Sequence, residues 1–288
     1  MTLKYSKTLH SGTTVPGCGA IHISEVNATL TKLSDELELP FNLNNFVIGS
    51  AGKTEYAGDI DVVIDKEWYD RSIEEFHRDL KSLFNTEDIV RHGPMIHLRY
   101  PINDFDKQYI KRLPRTGFVQ VDFVFGDAAW KRFFHYSHGT KSAYKGFHRN
   151  IAISAVTYAS TVVFNNAVDD YGRYISVEKW KWGTNGLFRV VRNSRRRANG
   201  APGWVKMQTD DISEGPYKDE EFIARTIFPV DGTPDDLNSL ENVMAAIKRN
   251  YALSMQETIY KQMAKKFNEN NDALHFSYPP EIEKYFKS

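Results

Sequence analysis

In the run Asp59-Ile60-Asp61-Val62-Val63-Ile64, two carboxylates stand at i and i+2 inside a segment that is otherwise apolar and strand-forming. Successive strand side chains point to opposite faces, so Asp59 and Asp61 share one face. Like charges at neighbouring same-face positions repel, and a strand that keeps both needs a cation between them. Magnesium takes hard oxygen ligands, typically one or two carboxylates with substrate phosphates filling the rest of the shell. The pattern therefore points to a metal and to phosphate-ester chemistry.

A third carboxylate is equally conspicuous. Phe118-Val119-Gln120-Val121-Asp122-Phe123-Val124-Phe125 reads as an apolar strand with one charge in its middle. A carboxylate buried there needs a hydrogen-bond donor, a counter-charge such as an Arg, or a metal, because leaving it unpaired is costly. Asp122 is thus the expected third ligand. Upstream of Asp59, the short strand Phe46 to Ile48 runs into Gly49-Ser50, whose backbone amides suit a phosphate.

The remaining pattern places these residues in an α/β framework. Ser24 is expected to cap a helix reaching about Leu39, with Val26, Leu30, Leu33 and Leu37 at helical spacing before Pro40. A second helix is expected from about Glu67 to Phe84, with Ile73, Phe76, Leu80 and Leu83 on one face. Strands follow at 88–91 and 95–102 around the turn His92-Gly93-Pro94, then a polar, basic loop near Lys111 to Arg115. Helices are expected from Trp130 to His135 and from Gly146 to about Val163. Short strands should occupy 173–192, and helical patterns dominate from Asp219 onward. A domain boundary is expected near residue 165, giving parts 1–165 and 166–288.

Composition narrows the class further. The 288 residues carry 37 basic and 37 acidic side chains, so the formal net charge is zero and nucleic-acid contact requires a local patch. One cysteine, Cys18, excludes an intrachain disulfide and a Cys-rich zinc site. The sequence has neither a membrane-length apolar run nor a signal-peptide core at its start, which leads to the expectation of a cytoplasmic protein without membrane contact.

Gly49-Ser50, then Gly58-Asp59-Ile60-Asp61, then the isolated Asp122 resemble the signature of the DNA polymerase beta-like nucleotidyltransferase superfamily, with spacing most similar to family X polymerases. Tyr136-Ser137-His138-Gly139-Thr140-Lys141 is similar to the segment those polymerases place against the incoming nucleotide, and Arg149 follows at about the corresponding distance. The resemblance covers roughly residues 45 to 150. It implies a palm built on a small mixed sheet with flanking helices, followed here by a mainly helical C-terminal portion. It also implies two magnesium ions, with manganese as an alternative, held by Asp59, Asp61 and Asp122 as the catalytic carboxylates. A nucleoside triphosphate such as ATP would lie against Gly49, Ser50, Lys53, Tyr136, Gly139, Thr140 and Arg149. Family X members have Arg residues after Gly-Ser, whereas this chain has Ala51-Gly52-Lys53. They also carry an N-terminal DNA-binding region, and about 45 residues precede the catalytic strand here, so a gap-filling polymerase is not expected.

Between Lys179 and Thr209 the chain has eight cations and no acidic residue, interleaved with Trp180, Trp182, Phe188 and Trp204. Arg binds phosphates and aromatic rings stack on unpaired bases, so Arg192, Arg195, Arg196 and Arg197 are candidate nucleic-acid contacts. The cluster can equally pair with the acidic stretch Asp210 to Glu241, with the tryptophans in a core. The expected activity is transfer of a nucleoside monophosphate to a hydroxyl, with an RNA end, tRNA for example, as acceptor. The alternatives are transfer to a protein or small molecule, as in toxin-like or antibiotic-modifying relatives, and a non-catalytic nucleic-acid-binding module.

Overall fold

A mixed sheet organises the first of two units, Met1–Ala143, and helix packing organises the second, Tyr144–Ser288. The computed structural model describes residues 14–65, 67–106, 115–136, 141–142, 144, 146–164, 177–192, 212–269 and 278–286. The first unit runs β1 (Ile21–His22), α1 (Ile23–Glu36), β2 (Val47–Ile48), β3 (Tyr56–Ala57), β4 (Asp59–Ile64), α2 (Ile73–Leu83), β5 (Ile89–His92), β6 (Met95–Pro101), β7 (Phe118–Phe125) and α3 (Ala128–Phe134).

A five-stranded mixed sheet, in the order β2-β4-β7-β6-β5, forms the centre of this unit. Only β4 and β7 are parallel; the other neighbours are antiparallel. The near-continuous apolar run of β7 suits its central place, where both faces are covered. One sheet face is wholly apolar: Ile60, Val62 and Ile64 of β4, Ile96, Leu98 and Tyr100 of β6, and Val121 and Phe123 of β7 pack with Leu30 and Leu33 of α1 and Phe76 and Leu80 of α2. The opposite face is apolar only at one end, where Ile48, Val63, Val124 and Ala128 cluster.

Local chemistry sets the helix starts. α1 begins two residues earlier than Ser24 as cap would allow, because His22 Nδ1 accepts from Ser24 N and Glu25 reaches back to His22 N. Likewise α2 starts at Ile73, since Ser72 and Glu75 form a reciprocal capping box. Residues 67–69 instead fold back on Asp65, which accepts from Glu67 N and, through its carbonyl, from Trp68 N and Tyr69 N.

The second unit contains α4 (Gly146–Phe164), β8 (Val177–Gly183), β9 (Gly186–Arg192), β10 (Ile212–Tyr217), α5 (Glu220–Ile227), α6 (Leu240–Asn250), α7 (Leu253–Glu269) and α8 (Pro280–Glu283). Its core draws Ile151, Ala155, Val156 and Ala159 from α4, Val243 and Ile247 from α6, and Ile259, Met263 and Phe267 from α7. A three-stranded antiparallel sheet, β10-β9-β8, completes it. Strand β10 was not expected, since the short strands of this unit were placed within 173–192. The strand persists by breaking register between Glu214 and Tyr217, where proline has no N–H to give. Among the described residues no helix is long and apolar enough to cross a membrane.

Candidate active site

Parallel pairing of β4 with β7 sets Asp61 directly beside Asp122, and Asp59 beside Gln120. All four side chains share the sheet face opposite the large apolar core. Antiparallel pairing with β6 then adds His97 beside Asp122 and Arg99 beside Gln120. The three carboxylates expected from the sequence therefore come from adjacent strands and lie on one face.

Asp61 feels the arrangement most. Burial pushes its carboxyl pKa well above the ordinary range, and the charges of Asp59 and Asp122 push it further in the same direction. Gly49 closes over this group with φ +72°, and a Cβ at that position would stand 2.5 Å from Asp61 Oδ2. Only glycine fits there, both for the left-handed backbone and for the carboxylate it approaches. The segment after Gly49-Ser50 is a hydrogen-bonded turn: Lys53 N and Thr54 N both donate to Ser50 O.

Asp122 is buried at 4% exposure, and its partner is a histidine rather than an arginine. His97 Nδ1 lies 2.8 Å from Asp122 Oδ1. A carboxylate only accepts, so Nδ1 donates and the ring is held in that tautomer. Behind it, Gln120 Oε1 accepts from Thr14 N at 2.5 Å and Val15 N at 3.0 Å, leaving Nε2 3.5 Å from His97 Nδ1. Cys18 is buried close by, and desolvation pushes its thiol up to about 12, with Arg99 opposing and Asp122 and Asp88 adding to the shift. A thiol held so firmly protonated is inert packing.

His97 was missed in the sequence, although the alternation Met95, His97, Arg99 against Ile96, Leu98, Tyr100 marks it as the polar face of its strand. Lys53 and Tyr136, expected separately near a nucleotide, meet: Lys53 Nζ sits 5.3 Å from the centre of the Tyr136 ring. Partial burial of that ammonium lowers its pKa. Arg149 lies in the second unit, on α4, at 1% exposure, with Nη2 3.3 Å from Asn150 Oδ1. It opposes the burial that raises the Glu220 pKa. Gly139, Thr140, Arg195, Arg196 and Arg197 lie outside the described residues, as does the side chain of Arg192.

Among the described residues no group of three or more His, Cys, Asp or Glu side chains is placed to hold a metal ion. The donor chemistry nevertheless fits magnesium: hard oxygens, a half-buried carboxylate crowded by like charge, and a coordination habit that leaves part of the shell to substrate phosphates.

No family model matches the chain, and no curated protein matches it. Similar solved structures include the polymerase beta of Leishmania infantum in a ternary gap complex, at a TM-score of 0.35 and 13% identity over 91% of this chain and 70% of that one.

Proposed function

We propose that the chain is a metal-dependent nucleotidyltransferase that moves a nucleoside monophosphate from a triphosphate to a hydroxyl, with an RNA end as acceptor. The observation that supports it most is the pairing of Asp61 with Asp122 across parallel strands, with Asp59 on the same face and Gly49 against Asp61. When bound, a pair of divalent cations supplies charge stabilisation at the attacking and leaving oxygens. Asp59, Asp61 and Asp122 are the residues to hold it. The hydroxyl oxygen attacks the α-phosphorus, the bond from that phosphorus to its bridging oxygen breaks, and pyrophosphate leaves. With Oδ1 of Asp122 engaged by His97, Oδ2 is the oxygen open to take the hydroxyl proton. The Gly49-Ser50 turn and Lys53 offer donors and positive charge to the triphosphate, with Tyr136, Gly139 and Thr140 alongside. Arg192, Arg195, Arg196 and Arg197 supply the charge an RNA backbone needs.

The test is incubation of wild type and Asp59→Ala with magnesium, each α-labelled triphosphate, and RNA, DNA or protein pools. Label is expected on RNA and absent with the variant. Label on protein would replace the acceptor, and no label with any acceptor, small hydroxyl compounds included, would end the transferase reading.

His97 should matter through Asp122. His97→Leu is expected to raise the magnesium needed for half-maximal rate and for thermal stabilisation by about 10- to 100-fold, the usual scale for a residue that orients a metal ligand. His97→Asn, whose amide can still donate to Asp122, should recover part of that loss. Unchanged magnesium dependence in a folded His97→Leu protein would remove the histidine from the mechanism.

A further inference from the structure

Strand alternation in the second unit sorts the basic, aromatic stretch into two unlike faces. By register, Trp180 pairs with Arg189 and Trp182 with Leu187, whereas Lys179 pairs with Val190 and Lys181 with Phe188. The tryptophan face is already used. Trp182 and Leu187 are buried, the Trp180 ring lies 5.8 Å from that of Tyr217 and 6.1 Å from that of Phe222, and Arg189 pairs with Glu214 at 2.9 Å. On the other face Lys179, Lys181 and Phe188 border a concavity of about 500 Å³. The hairpin tip Gly183-Thr184-Asn185, Val190 of β9 and Ser213 of β10 complete its wall, and among the described residues no carboxylate lines it.

We infer that this face of the β8-β9-β10 sheet binds single-stranded RNA, with Lys179 and Lys181 on the backbone phosphates and Phe188 stacked on an unpaired base. The inference rests on the RNA-acceptor reading and gives it a surface among the described residues. Charge complementarity carries it: two cations, one ring, one aliphatic side chain and neutral hydrogen-bonding groups face one space, with no acid among the described residues to repel a polyanion. Lys179 and Lys181 are two residues apart on one strand face, about 6.7 Å along it, a spacing that suits successive phosphates of an extended chain. Stacking on an aromatic ring needs the base unpaired, which excludes a duplex. Thr184, Asn185 and Ser213 offer hydroxyl and amide groups to a ribose 2′-hydroxyl, the feature that separates RNA from DNA.

Fluorescence anisotropy with a short labelled single-stranded oligoribonucleotide, its duplex and its DNA counterpart, across a salt series, tests this on the full chain. The Lys179→Ala/Lys181→Ala protein should bind at least about tenfold more weakly and lose roughly 1.4 from the slope of log affinity against log salt, the counterion release of two single-strand phosphate contacts. Phe188→Leu should lose about 5- to 100-fold with the slope unchanged, because stacking releases no counterions. Melting temperatures and the magnesium-dependent response to triphosphate should stay at wild-type values in both, which separates a lost contact from a lost fold. Wild-type affinity in both variants, or equal binding of DNA, would overturn the assignment. Should wild type bind no RNA yet release pyrophosphate onto another acceptor, this surface falls and nucleotidyl transfer stands. Lysine-dependent RNA binding without any transfer would leave the surface standing and sink the transferase reading.

Discussion

Asp61→Asn is expected to make the metal-free protein more stable while cutting nucleotidyl transfer at least about a thousandfold, the equivalent of roughly 4 kcal/mol of transition-state stabilisation. Asparagine keeps the shape of the side chain and removes a charge crowded by Asp59 and Asp122. Relief of that repulsion should contribute about 1 kcal/mol or more, read as a rise of roughly 2–4 °C in Tm. A site that costs stability in the absence of its ligand is one the fold retains for chemistry.

The same carboxyl fixes the sign of a pH dependence. An unfolded Asp titrates near its ordinary value of about 3.9, while folded Asp61 keeps its proton to higher pH. Through that window the native state holds a proton that the unfolded chain has released. Metal-free stability is therefore greatest below the window and declines as pH rises toward the folded value. Magnesium, which binds the ionised form, should offset the decline, and Asp61→Asn should flatten the Asp61 contribution in either condition. Urea unfolding with chelator and with magnesium across this range is the check. An Asn variant less stable than wild type in chelator would mean that the Asp61 charge is satisfied by the protein itself, and the metal reading would lose its main support.

The three carboxylates were legible because each violates the pattern of its own strand, and a violation needs no knowledge of neighbours. Strand β7 was also legible in full, since an eight-residue apolar run with flanking polar residues leaves little choice of bounds. What surrounds the carboxylates was not. The pairing of His97 with Asp122 depends on the register of β6 against β7, and register is a property of two segments. Helix starts were misplaced for a related reason. The boxes His22 to Glu25 and Ser72 to Glu75 are short-range and could be read, but Ser24 is the more usual capping residue in α1, and Trp68-Tyr69 carries apolar character ahead of Ser72 in α2. The tryptophans of β8 were read together with its lysines, although alternation sends them to opposite faces once the hairpin is fixed.

Least legible was Arg115, expected in a polar, basic loop and found with a fully buried side chain, and its replacement by Ala should destabilise the first unit by about 3–5 kcal/mol. Its Nη2 lies 2.5 and 2.7 Å from the two oxygens of Glu25, and its guanidinium stacks 4.6 Å from the centre of the Phe105 ring. Glu25, only 2% exposed, also accepts from His22 N at the head of α1 and from Asp106 N after β6. One ion pair thus joins the start of α1, the end of β6 and the lead-in to β7, the strand that carries Asp122. Removing the arginine leaves a buried carboxylate without its counter-charge, which costs far more than the pair itself contributes. Against a domain stability of about 5–15 kcal/mol, that loss is a large fraction. The double variant Glu25→Gln/Arg115→Met should regain much of it, because the uncompensated charge is gone and the space is refilled. Urea unfolding of the three proteins tests the argument, and an Arg115→Ala protein within about 1 kcal/mol of wild type would refute it. Measured where each protein is folded, the magnesium dependence of Arg115→Ala should match wild type, since the clasp acts on whether β7 is held in the sheet.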